Sequence, residues 1–165
     1  MITAFIAFGG NLGDVRETFR GARGELAALP GSGAVASSRL YTSAAIGPPG
    51  QPDYLNAVVG LGTELMPRTL LHEMQRIEDR HGRVRDLRWG PRTLDLDLVA
   101  MDDTISDAAD LTLPHPEMHM RMFVLQPLCD LAPEWHHPRM GQTARELLES
   151  CIRAGQSPLD DGIPW

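Results

Sequence analysis

Residues Ile2 to Phe8 form a continuous, apolar, β-favouring run that ends at Gly9 and Gly10. A run of this length predicts a central strand that leads into a tight turn. A helical pattern follows over about residues 14–29 and is stopped by Pro30 and Gly31. Residues 35–42 and 54–64 read as two strands joined by a Pro- and Gly-rich loop at 46–52, and a loop of that composition suits function. Pro67 stands at a helix start, Leu70, Leu71, Met74 and Ile77 recur at core-facing spacing, and Gly82 closes the pattern, which predicts a helix over 67–81. From Thr93 to Met101 the pattern alternates, with Leu94, Leu96 and Leu98 on one face and Asp95, Asp97 and Val99 on the other. The order strand, helix, strand, strand, helix, strand predicts an α+β, ferredoxin-like sandwich: an antiparallel sheet with helices on one face and the other face open. Residues 102–165 add a C-terminal extension of Pro-interrupted loops, short helices near 123–131 and 143–153, and ten irregular final residues. One catalytic domain over 1–165 is expected, with a core of about 1–135 and a C-terminal helix and irregular tail from 136.

Composition narrows the classes of function. With 165 residues and 42% hydrophobic content the chain can bury one sizeable core. Its 22 acidic residues against 15 basic ones give a net charge of −7, so neither a nucleic acid nor an anionic membrane is the expected partner. All 15 basic residues are Arg, and a Lys-free chain excludes a P-loop lysine and every lysine-nucleophile mechanism. The N-terminal run lacks a basic lead-in, and Cys129 and Cys151 are too few for a disulfide framework, so a cytoplasmic protein with reduced thiols is expected.

Asp95 and Asp97 carry the strongest chemical signal. Two apart on a strand, they point the same way at roughly 6.5 Å separation. Such a pair suits hard cations such as Mg²⁺, with phosphate oxygens completing the shell; the same alternation also describes a solvated strand face. Between Arg76 and Arg92 there are six Arg against three acids. In the loop part of that stretch, Arg83, Arg85, Arg88 and Arg92 stand among Gly82, Gly90 and Pro91, where a grip on a phosphate chain explains them better than surface pairing does. Trp89 in the same loop, with Tyr54, Asn56 and Phe123, suits a flat heterocycle held between aromatic rings and read by an amide; for Phe123 alone, ordinary core packing is the simpler account. Gly9-Gly10-Asn11-Leu12-Gly13 lacks the dinucleotide-binding spacing and reads as a turn near the ligand. His115 and His119, or His136 and His137, invite a zinc reading, but Pro114 and Pro116 spoil the helical pair and the cysteines complete no tetrad.

Taken with their order, these segments resemble the 6-hydroxymethyl-7,8-dihydropterin pyrophosphokinase family. The blocks are Gly9 to Gly13, Gln51-Pro52-Asp53-Tyr54-Leu55-Asn56, Gln75-Arg76-Ile77-Glu78, Arg88 to Asp97 and Leu113-Pro114-His115, and the similarity runs to about residue 135. The resemblance implies transfer of pyrophosphate from ATP to the pterin, in folate synthesis, with two Mg²⁺ ions on Asp95 and Asp97 and with Arg83 and Arg92 assisting. It implies a pterin site of Tyr54, Asn56, Trp89 and Phe123, with main-chain groups near Ser43, Ala44 and Ile46. It implies an ATP site of Gln75, Glu78, Arg85, Arg92, Leu98, Thr112, His115 and Arg121. A monomer is expected. Ser43-Ala44-Ala45 stands where the family usually has Thr-Pro-Pro, Gly10 replaces a common Ser, and Asp110 takes the place of an Arg that can contact ATP. Two rivals are a metal-dependent phosphohydrolase using the same Asp pair, which would release phosphate from ATP without pterin, and a silent binding module, which would bind ligand without turnover.

Overall fold

The computed structural model describes residues 1–82 and 91–165. Strand β1 (Ile2–Gly10) lies at the centre of an antiparallel sheet, between β4 (Tyr54–Thr63) and the edge strand β5 (Asp95–Met101). Along its other edge, β4 carries β2 (Ser32–Ser37) and β3 (Tyr41–Ser43) one after the other. Ala4, Ile6 and Phe8 of β1, Val59 and Leu61 of β4 and Leu96 and Leu98 of β5 share one face. Against that face pack α1 (Val15–Ala27), through Phe19, Ala22 and Leu26, and α2 (Pro67–Arg80), through Leu70, Met74 and Ile77. Both helices start where the sequence sets a start. The Asp14 side chain accepts the Glu17 N–H at 3.2 Å, and Pro67 occupies the first turn, where a missing N–H costs nothing. This is the ferredoxin-like order expected from the hydrophobic pattern.

Three features differ from that expectation. The strand expected over 35–42 is split, because the Ser38 hydroxyl rather than a backbone carbonyl accepts the Val58 N–H, at 2.9 Å, and the chain jogs there. Residues 102–135 include a hairpin of β6 (Ser106–Ala108) and β7 (Leu111–Leu113), whose three-residue strands are too short to show alternation. The second face of the sheet is not fully open. Helices α3 (Met122–Leu131) and α4 (Ala144–Arg153) cover half of it, burying Leu125, Leu128 and Leu147 against Phe5, Val58 and Val99. The reason lies in the sheet itself: Phe5, Val58 and Val99 are apolar on that face and need a cover, whereas the positions beyond them are Ala7, Gly9, Asn56, Asp95 and Asp97. No described helix is long and apolar enough to cross a membrane.

The last turn of α2 is tied to α1 by one carboxylate. Glu25 accepts from Arg80 Nε at 2.7 Å and lies 2.6 Å from His81 Nε2. Burial alone would raise the Glu25 carboxyl, but the bonds to Arg80 and His81 outweigh it and hold the group below its ordinary value of 4.5. The folded chain therefore binds this proton less readily than the unfolded chain, so the contribution is complete above pH 4.5 and fades as pH falls through the lower, folded value. Glu25→Gln is expected to be less stable than the parent at pH 7, with the gap narrowing as pH falls below 4.5. Urea unfolding of the two proteins at several pH values measures this, and a gap independent of pH would refute it.

Candidate active site

The uncovered part of the second face is the floor of a cleft of about 530 Å³. In the ladder, Gly9 pairs with Asn56 on one side and Asp95 on the other, while Ala7 lies between Val58 and Asp97. With adjacent strands about 4.8 Å apart, Asn56 and Asp95 face one another across about 10 Å of flat, small-residue floor. Gly9 keeps that floor low, since among the described residues a Cβ there would find only Asp95 Cβ, at 3.9 Å, and would otherwise stand in the cleft. Ser43, Ala44, Ile46 and Tyr54 form one wall, and Arg121 and Phe123, at the start of α3, form another.

The amide of Asn56 is fixed in direction. Its Nδ2 donates to Ser43 Oγ at 2.8 Å and to the Tyr41 carbonyl at 3.3 Å, which uses both hydrogens. What Asn56 can offer a ligand is therefore the acceptor Oδ1, matched to a donor edge such as the amino and ring N–H groups of a heterocycle. Opposite stand the two carboxylates, with Arg92 Nε 3.9 Å from Asp95 Oδ1. The Arg121 guanidinium lies 5.6 Å over the Phe123 ring and pairs with Glu117, so its charge sits at the cleft beside a half-exposed aromatic. Among the described residues no group of three His, Cys, Asp or Glu could hold a metal ion. Two carboxylates on one face are still the donor set that suits Mg²⁺ when phosphate oxygens supply the remaining positions.

The residues expected to hold the nucleotide are more dispersed. Gln75 is exposed on α2. Glu78 is buried, and one of its oxygens accepts the Leu96 N–H at 2.8 Å, which anchors α2 to the edge strand β5. The Leu98 side chain belongs to the helix-side core, so Leu98 can offer a ligand only its main chain. Thr112 Oγ1 donates to the Ala108 carbonyl across the β6–β7 hairpin. The His115 N–H donates to the Val99 carbonyl at 2.8 Å, which docks His115 beside β5. Its Nδ1 accepts the Glu117 N–H at 3.1 Å, so the neutral ring carries its proton on Nε2 and can donate it outward. Burial, more than the opposing pull of Asp97, lowers the His115 pKa and favours that neutral form. Asp110 forms an ion pair with Arg68 on α2, so the acidic residue at this place has a local partner. The expected site residues Arg83, Arg85 and Trp89, and the loop residue Arg88, lie outside the described residues.

Asn11, which the sequence pattern placed only within the Gly9–Gly13 turn, joins segments on both sides of the cleft. It is buried, its Nδ2 donates to Gln51 Oε1 and the Pro52 carbonyl, both at 3.1 Å, and its Oδ1 accepts the Arg92 N–H at 2.9 Å. The neighbouring turn is equally close-fitting. A Cβ on Gly10 would lie 2.8 Å from the Thr93 carbonyl oxygen, so a side chain there requires the Arg92–Thr93 backbone to stand further off.

A ferredoxin-like sandwich whose sheet carries paired carboxylates and guanidinium groups around a flat cleft defines a group-transferring enzyme. Over residues 5–133 the chain matches the 7,8-dihydro-6-hydroxymethylpterin-pyrophosphokinase (HPPK) family, belongs to it, and is a pyrophosphokinase. It is 44% identical over 160 residues to the 2-amino-4-hydroxy-6-hydroxymethyldihydropteridine pyrophosphokinase of Synechocystis sp., which covers 97% of this chain and 82% of that one. The enzyme of the same name from Pseudomonas aeruginosa is 46% identical over 147 residues, 89% of this chain and 90% of the other. A crystal structure of an HPPK-DHPS with substrates superimposes with a TM-score of 0.71 at 14% identity, covering 93% of this chain and 44% of that chain. The wild-type Plasmodium falciparum HPPK-DHPS with pteroate gives 0.69 over 92% of this chain and 42% of that one. At such identities the likeness concerns the fold, and this chain spans less than half the length of those two.

Proposed function

We propose that this protein transfers pyrophosphate from Mg-ATP to 6-hydroxymethyl-7,8-dihydropterin, giving AMP and the pterin methyl diphosphate, as a step of folate synthesis. The observation that carries the reading is the single cleft in which the fixed Asn56 acceptor faces Asp95 and Asp97 across a flat floor. Asn56 Oδ1 accepts from the donor edge of the pterin, Tyr54 and Phe123 pack on its ring, and the main chain of Ser43, Ala44 and Ile46 borders it. Asp95 and Asp97 would hold two Mg²⁺ ions, which neutralise phosphate charge and lower the barrier to displacement when bound. Arg92 and Arg121 meet the charge of the phosphate chain, and the neutral His115 donates from Nε2 to a phosphate oxygen. Gln75, Thr112 and the main chain of Leu98 complete the nucleotide side, with Glu78 steadying β5 beneath them. The pterin hydroxyl oxygen bonds to the β-phosphorus and gives its proton to solvent water, the bond between that phosphorus and the α-β bridging oxygen breaks, and AMP leaves with that oxygen. Two hydrophobic clusters on opposite faces of one sheet support a single domain, which we take to act as a cytoplasmic monomer.

The product distinguishes this chemistry from ordinary kinase and hydrolase action. With purified protein, Mg²⁺, ATP and the hydroxymethyl dihydropterin, phosphorus NMR is expected to show a diphosphate ester with stoichiometric AMP. ADP with a pterin monophosphate, or phosphate release without pterin, would refute the reading.

A further inference from the structure

The wall formed by Ser43 and Asn56 depends on β3, a strand of three residues paired on one side only. Three ladder positions are a weak hold on a strand that must fix a side chain. Residues 159–165, irregular in secondary structure, supply what the ladder lacks. Leu40 and Ile163 exchange N–H to C=O bonds of 2.8 and 2.9 Å, adding a bridge to the outer edge of the segment that enters β3. The Asp160 carboxylate accepts both the backbone N–H (3.3 Å) and the hydroxyl (2.5 Å) of Thr42. Asp160 is itself held by α3, since Gln126 Nε2 donates to its carbonyl at 3.1 Å while Gln126 Oε1 accepts the Leu159 N–H at 2.8 Å. Between these two grips, the Tyr41 hydroxyl donates to Asp130 of α3 at 2.7 Å. The far end is anchored as well. The Trp165 indole N–H donates to the Ser38 carbonyl at 2.7 Å, and its ring meets Phe8 and Phe19 at centroid distances of 5.6 and 5.7 Å.

We propose that the 159–165 segment is a brace for the heterocycle wall, and that Asp160 is a positioning residue acting through Thr42 and Ser43 on Asn56. Successive residues are gripped in turn: Leu40 by Ile163, Tyr41 by Asp130, Thr42 by Asp160, after which Ser43 Oγ holds the Asn56 amide. Loss of the Asp160 grip frees Thr42 and Ser43 to shift outward, and Asn56 then loses its fixed direction. Asp160 does not line the cleft, so its effect on ligand is indirect. Gly162 shows how closely the brace fits. With φ +75°, a Cβ there would lie 2.8 Å from Arg39 Cβ and 3.0 Å from Tyr41 Cε1, so Gly162→Ala must lift the segment off β3.

The brace rests on the pterin reading above and predicts a selective defect. Calorimetric titration of the parent, Asp160→Ala, Asp160→Asn and Gly162→Ala proteins with a non-hydrolysable Mg-ATP analogue, then with the pterin, separates the two ligands. Pterin Kd is expected to rise about fivefold or more in Asp160→Ala and Gly162→Ala, with nucleotide Kd within about twofold of the parent. Asp160→Asn keeps a carbonyl acceptor for Thr42 and is expected to recover most of the pterin affinity. Unchanged pterin affinity in both disruptive variants, or equal loss of both ligands, overturns the brace. A parent protein that binds nucleotide but no pterin instead refutes the functional reading, and the brace for a pterin wall falls with it.

Discussion

Asp97→Ala is expected to lower turnover by several orders of magnitude while leaving the fold as stable as the parent. Among the described residues the Asp97 carboxylate makes no hydrogen bond or ion pair, and it is exposed at the cleft. Its loss therefore removes none of the hydrogen bonds or ion pairs among the described residues, only its electrostatic pull on His115. It also removes a like charge roughly 6.5 Å from Asp95, so stability stays level or rises slightly. What is lost is half of the hard-oxygen donor set that would hold Mg²⁺ against the phosphate chain, and with it charge neutralisation and alignment together. The loss falls on kcat, because the interaction is strongest as charge develops. Steady-state kinetics at saturating Mg²⁺, read beside a thermal melt, tests both halves: Tm within about 2 °C of the parent is expected. Near-normal turnover would sink the assignment of these carboxylates.

The parts of this site that were legible in the sequence are those set by local periodicity. The alternation over β5 places Leu96 and Leu98 toward the helices and Asp95 and Asp97 toward the cleft, because the side-chain period of a strand is 2 wherever the backbone stays extended. The pattern of α2 was equally local. What the sequence did not show depends on partners distant in the chain. The jog between β2 and β3 arises from one hydroxyl, that of Ser38, meeting Val58 twenty residues on. The cover on the second face needs α3 and α4 to reach Phe5 and Val58, and no periodicity announces where a short apolar helix will dock. Residues 159–165 have no regular pattern, so their hold on β3 is invisible until the bonds are seen. Glu78 shows a subtler limit: its place in the motif was clear, but its bond to Leu96 gives one of its oxygens a structural task.

Asn11 lies at the limit of what sequence can tell, and its removal carries the second large expected effect. In the Gly9-Gly10-Asn11-Leu12-Gly13 run it reads as a turn residue, yet its side-chain partners stand 40, 41 and 81 positions away. Each atom of its amide is used: two hydrogens toward Gln51 and Pro52, the oxygen toward Arg92. The main chain repeats the tie, with the Asn11 and Leu12 N–H groups both donating to the Arg92 carbonyl at 2.9 and 3.1 Å. One buried side chain thus joins the segment leading to Tyr54 and Asn56 to the segment leading to Asp95. Asn11→Ala leaves the Arg92 N–H and the Pro52 carbonyl without these partners, a loss of about 2–3 kcal/mol in stability. A displacement of about 1 Å at the reacting groups can lower rate by about 10²-fold, and a loss of that order in kcat/KM is expected here. To separate misplacement from simple weakening, the control is Val59→Ala, a fully buried cavity mutation on the helix-side face of the sheet, outside the cleft lining and comparably destabilising. Measured well below both melting transitions, Val59→Ala is expected to keep near-parental kcat/KM while Asn11→Ala does not. Equal activity in the two variants would reduce Asn11 to a purely structural residue.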